Sequence, residues 1–274
     1  MEIVTLIENT TENDALLPEH GLSLYIETDK HRILFDTGAS PQFAVNALKL
    51  GVDLASVDVA FLSHGHYDHG GGLATFLRLN KSAAIYVSAD AFQKHYSQSI
   101  FQQQKYIGLD QALSGHPRLV PVEGNLRIDN QLGIMSRTEG NRFVPSGNQD
   151  MYTEFKGTLV QDDFTHEQNL IVREQGKTLL VAGCAHRGIV NIVDQFIVDN
   201  GQPPDVVIGG FHLHSRATGK SETESVVTGI GKGLAESKAQ YYTGHCTGHK
   251  PYAILKEIMG DQLAFLSTGM RIII

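Results

Sequence analysis

Cysteine is scarce in this chain: Cys184 and Cys246 are the only two, far apart in 274 residues. That is too few for a disulfide framework and suits a reducing cytosol. Basic residues are in deficit as well, with 22 Lys and Arg against 30 Asp and Glu and a formal net charge of -8. Surfaces that follow nucleic-acid phosphates draw on clustered Lys and Arg, so nucleic acid is not an expected partner. No run approaches the roughly 18 consecutive apolar residues of a membrane span. The opening residues Met1 to Glu8 carry acid where a secretory leader carries Lys or Arg, and they lack a long apolar core. Linkers rich in Pro, Gly and Ser are missing, and so are repeats at solenoid periods. The expectation is a soluble, cytoplasmic, single-domain protein spanning residues 1-274.

What is present is enough apolar material for a sizeable core, 41% of the chain, which argues against disorder. Glu2 to Ile7 and Leu22 to Thr28 alternate apolar and polar residues and predict half-buried strands. His31 to Phe35 predicts a third strand, ending in the turn Asp36-Thr37-Gly38. Phe43, Ala44, Ala47, Leu48 and Leu50 recur at helical spacing, and Gly51 stops that helix. Val57 to Leu62 is a compact apolar run, predicting a buried strand. Leu73 to Leu79 predicts a helix and Ala84 to Ser88 a strand. From about residue 90 to 161 the periodicity weakens, and this stretch is expected to supply the loops that set substrate specificity. Beyond it, strands are predicted at Leu170 to Arg173, Thr178 to Ala182, Val206 to Ile208, Tyr241-Tyr242 and Leu263 to Leu266. Helices are predicted at Val190 to Val198, Glu222 to Lys238 and Tyr252 to Met259. Many strands followed by strand and helix in alternation predict an α/β fold with two sheets covered by helices.

The chemistry is concentrated after the buried strand, in His64-x-His66-x-Asp68-His69. Imidazole nitrogens and a carboxylate are ligands for zinc, manganese or iron. Four such groups within six residues do not share a helix face, where neighbours are three and four apart, but a glycine-rich loop can splay them around metal. Further ligands are expected at downstream strand ends, where an apolar strand, a glycine and a histidine recur. These places are Gly183-Cys184-Ala185-His186, Gly209-Gly210-Phe211-His212 and Thr243-Gly244-His245-Cys246. His186 and His245 are the expected ligands, and His212 is either a ligand or an acid-base group.

With these motifs the chain resembles metallo-β-lactamase-fold proteins, from near residue 1 to near residue 270. His64-x-His66-x-Asp68-His69 is similar to that family's metal signature, and Asp36 to the acidic turn that props the ligands from behind. The three downstream motifs look like the subgroup called dihydropterin-ribofuranosyl-aminobenzene-phosphate synthase. The resemblance implies an αββα sandwich of two mixed sheets with helices on the outer faces. It also implies two divalent metal ions, zinc foremost, with manganese or iron as alternatives. In that picture His64, His66 and His186 hold one ion, and Asp68, His69 and His245 the other. Cys184 stands where most members have a metal-bridging Asp, so either it binds metal as a thiolate, or His186 takes over, or the second site is weak; His166 lies about where many have another His ligand.

The implied chemistry is hydrolysis or group transfer by a metal-activated water on a phosphorylated, pterin-like or ester small molecule. Asp68 and His212 are the expected catalytic acid-base groups, with Asp36 and Cys184 supporting them. Arg187 and Arg216 lie just past two of the downstream strand ends, where each is either a solvated surface arginine or a contact for an anionic substrate. The rival readings are an iron-dependent oxidoreductase of the same fold and a metal-containing ligand-binding protein without turnover.

Overall fold

In the computed structural model, which describes residues 1–274, the chain forms two compact units. The first comprises Met1–Phe92, Gly108–Glu123 and Leu266–Ile274. The second comprises Gln93–Ile107 and Gly124–Phe265. Each is built on one seven-stranded mixed sheet.

In the first unit the strands Glu2–Ile7, Ser23–Glu27 and Arg32–Phe35 pair antiparallel. Both of the first two strands are buried along most of their length rather than half-buried. Their polar positions do not face water: Thr5 and Ser23 are buried too. The sheet continues in parallel through Val59–Phe61, Ala84–Ser88 and Leu119–Val122. Its other edge is Arg271–Ile273, antiparallel to Glu2–Ile7, a strand the sequence pattern does not predict. Helices Gln42–Leu50 and Leu73–Leu79 pack Phe43, Ala47, Leu73 and Phe76 into a core with Leu6, Leu34, Leu62 and Ile85. Gly51 ends the first of them in a left-handed conformation, φ 76°, as a helix C-terminus favours.

The second unit's sheet has four adjacent parallel strands, Lys177–Val181, Val206–Gly210, Gln240–Gly244 and Leu263–Phe265. Helices Ile189–Asn200, Glu224–Glu236 and His249–Met259 alternate with them. The core joins Phe196, Phe211, Ile230, Tyr241 and Leu255. The stretch from residue 90 to 161 is more ordered than its sequence predicts. It holds His95–Gln98, Gln104–Tyr106, Met151–Phe155 and Thr158–Gln161, which form a separate four-stranded sheet. These strands are short and largely polar, so neither length nor alternation marks them.

Candidate metal centre

Register delivers the first unit's polar groups to one place. Phe35 and Phe61 are partners across a parallel pair, so the residues leaving the two strands, Asp36 and then Leu62-Ser63-His64, emerge side by side. Asp36 is fully buried and adopts a left-handed backbone, φ 59°. That conformation costs a non-glycine residue energy and gathers at functional sites. Its Oδ1 accepts the Ser63 backbone N–H at 2.7 Å, and its Oδ2 accepts the Ser63 hydroxyl at 2.8 Å. His69 Nδ1 lies 2.6 Å from the same Oδ2, and His64 Nδ1 lies 2.8 Å from Ser63 Oγ.

These contacts fix tautomers. A buried carboxylate only accepts, so His69 donates from Nδ1. Ser63 has committed its proton to Asp36, so its oxygen accepts from His64 Nδ1. Both rings are thereby left with Nε2 as an electron-pair donor, the arrangement that metal-bound imidazoles take from their supporting carboxylates. His64 Nε2 and His66 Nδ1 are 3.0 Å apart. Two nitrogens on one tetrahedral ion, with bonds of about 2.0–2.1 Å, stand about 3.3 Å apart. The donor set and its spacing therefore fit a metal.

The motif is not wholly loop, as the sequence reading expects. His66 is extended and begins a single helical turn, Tyr67–Gly70, that contains Asp68 and His69. Asp68 Oδ2 is 3.9 Å from His69 Nε2 and 3.3 Å from His20 Nε2. A Cβ on Gly71 would sit 2.2 Å from the Ala39 carbonyl oxygen, and one on Gly72 would sit 2.3 Å from that of Thr37. Glycine there lets the turn lie against the backbone after Asp36.

In the second unit the parallel strands Lys177–Val181, Val206–Gly210 and Gln240–Gly244 end level, since Val181 pairs with Ile208 and Ile208 with Tyr242. Polar groups at the carboxyl ends of parallel strands commonly form sites. The chain turns sharply after each strand, through positive φ at Ala185 (57°), His212 (49°) and His245 (50°). The ligand atoms of Cys184, His186 and His212 lie within 4.8 Å of one another, and so do those of Cys184, His245 and Cys246. His186 Nδ1 is 3.0 Å from Asn148 Oδ1, while Asn148 Nδ2 donates to the His186 carbonyl at 2.8 Å. Nδ1 is therefore the protonated nitrogen and Nε2 the electron-pair donor. Phe164 stacks on the ring at 4.3 Å. Neither ring nitrogen of His212 has a hydrogen-bond partner although both are buried, which calls for an explanation such as an ion. Burial pushes the Cys246 thiol up, but Cys184 and the imidazoles of His245 and His212 bring it well below the usual range.

Glu167, His95 and Asp162 went unnoticed in the sequence. Glu167 accepts the backbone N–H groups of His186 at 2.6 Å and Arg187 at 3.0 Å, and burial raises its carboxyl to about 6. His95 Nδ1 and His166 Nε2 lie 2.8 and 3.3 Å from Asp162 Oδ2. Burial alone would raise Asp162, yet these two imidazoles hold it far below the carboxylate range. The i, i+4 spacing of Asp162 and His166 was a usable signal, whereas His95 on a short polar strand gave none. Arg187 donates to the carbonyls of Asp163 and Thr138, and Arg216 is exposed.

A family model of the metallo-beta-lactamase superfamily matches residues 16–205. Over 290 residues the chain is 28% identical to the 7,8-dihydropterin-6-methyl-4-(beta-D-ribofuranosyl)-aminobenzene-5'-phosphate synthase of Methanocaldococcus jannaschii, covering 98% of this chain and 95% of that one. An uncharacterized protein of the same organism is 26% identical over 275 residues, covering 93% and 94%. A solved structure described as a metal-dependent hydrolase of the beta-lactamase superfamily matches with a TM-score of 0.84 at 29% identity, covering 100% of this chain and 99% of that one. The Zn(2+)-bound PqqB from Methylobacterium extorquens matches at 0.59 and 11% identity, covering 100% of both chains, a likeness of fold.

Proposed function

The chain belongs to the metallo-beta-lactamase superfamily, and from that premise we propose that it is a metal-dependent enzyme hydrolysing or transferring a phosphoryl or ester group of a small anionic molecule. The observation that supports this most is the buried chain from Asp36 through Ser63 to His64, with its branch to His69, which leaves both imidazoles as electron-pair donors. A divalent ion, zinc foremost, would lower the pKa of a bound water toward neutral and polarise the scissile group.

The protein's own residues have separate tasks. His64, His66, Asp68 and His69 hold metal in the first unit, and His186 and His245 are ligands in the second. Asp36 fixes ring orientation and tautomer. Asp68, 3.3 Å from His20, takes the proton of the attacking water, and His20 shares its charge. His212, buried with both ring nitrogens free of hydrogen bonds, donates a proton to the leaving group. The name of the Methanocaldococcus relative favours a phosphorylated, pterin-like substrate for this chain.

The test is turnover of a panel of chromogenic phosphodiesters and esters by the metal-replete protein. We expect hydrolysis that a chelator abolishes and added zinc or manganese restores. Iron-loaded, coloured protein that hydrolyses none of the panel would overturn the hydrolytic reading.

A further inference from the structure

The hydrolytic reading leaves two buried thiols without a task, and both lie among its histidines. We propose that Cys184 and Cys246 bind a thiophilic metal ion as a pair of thiolates together with His245. The inference rests on the proposed metal dependence and adds sulfur ligation to it.

Three observations support it. First, the ligand atoms of Cys184, Cys246 and His245 all lie within 4.8 Å of one another, and all three residues are buried. Zinc–sulfur bonds of about 2.3 Å place two sulfurs of a tetrahedral site about 3.8 Å apart. The group therefore needs only a small contraction around an ion.

Second, the surroundings suit an anionic sulfur. The His212 backbone N–H donates to Cys246 Sγ at 3.2 Å, and such a bond strengthens when the acceptor is ionised. Third, room for the sulfur is built into the neighbouring strand. A Cβ on Gly210 would stand 2.4 Å from Cys246 Sγ, so a larger residue there would displace the thiol. The left-handed backbone at Ala185 and His245 directs the two cysteine-bearing turns, a strain that persists where the surroundings impose it.

Thiolate pairs select borderline and soft metals, whereas magnesium and manganese prefer oxygen. The full chain should therefore retain zinc in the presence of excess manganese. The direct test is cobalt(II) loading of the reduced, chelator-stripped full chain, read by near-ultraviolet sulfur-to-cobalt charge-transfer absorption. We expect a band in the wild type that falls by about half in Cys184→Ser and in Cys246→Ser and vanishes in the double variant, as two thiolate ligands require.

Wild-type protein that binds cobalt, shown by its visible bands, but lacks sulfur absorption would overturn thiolate ligation and leave metal dependence standing. An undiminished band in Cys246→Ser would remove that residue from the site. Failure of the wild type to bind cobalt at all would overturn both readings. The wild-type spectrum decides even if a serine variant fails to fold.

Discussion

Asp36 acts on three groups at once: the Ser63 backbone, the Ser63 hydroxyl and the His69 ring. Its replacement should do more than a surface carboxylate's would. Supporting carboxylates of metal-bound imidazoles change affinity by about 10–100-fold, and we expect a loss of that size for Asp36→Ala, measured by competition with a chromogenic chelator. Asp205 is a contrasting carboxylate. Burial raises its pKa, but the hydrogen bonds from Lys177 and the Thr178 backbone outweigh this and lower it. A lowered folded-state pKa stabilises the fold above the unfolded value, near 3.9, and that stabilisation fades below it and is lost as pH falls through the lower folded-state pKa. The pair is partly exposed, so Asp205→Asn should cost at most about 1 kcal/mol at pH 7. The gap to wild type should close in melts below about pH 4. At this scale the sequence exposed what local spacing carries: His64, His66, Asp68 and His69 are neighbours in the chain. Glu167, His95 and Asn148 acquire their partners only through distant contacts, and nothing beside them in sequence marks them.

Elements were legible where the core imposes a period. Leu73–Leu79 and Ala84–Ser88 are found with the bounds their patterns predict, and Ile189–Asn200 and Glu224–Glu236 within two residues of theirs. The four short strands of the small sheet were not, because their side chains are mostly polar and partly exposed. Where an element presses on backbone, sequence shows only a glycine. Gly72 begins the helix Leu73–Leu79 against the Thr37 carbonyl and the Phe43 ring. Gly72→Ala overfills that contact, and we expect a cost of about 1–3 kcal/mol in chemical denaturation. In the same helix Phe76 is fully buried, so Phe76→Ala should cost about 3–5 kcal/mol.

For the molecule as a whole, the first unit is closed by the far end of the chain. Arg271–Ile273 pairs with Glu2–Ile7. Thr268 Oγ1 accepts the Glu8 N–H at 2.7 Å and donates to the Glu8 carbonyl at 3.0 Å, both buried. Removing residues 266–274 exposes a sheet edge and strands these groups, so the truncated chain should melt well below the full chain or aggregate. The match to residues 16–205 gives the superfamily, but a metal-bearing His64–His69 loop is this chain's own claim to test. The most direct measurement is elemental analysis of the protein purified without added metal, beside His66→Ala prepared identically. The account predicts bound zinc, manganese or iron in the wild type and marked loss from the variant, with both giving the same circular dichroism. Full metal retention in His66→Ala, or a wild type that neither carries nor takes up metal, would contradict it.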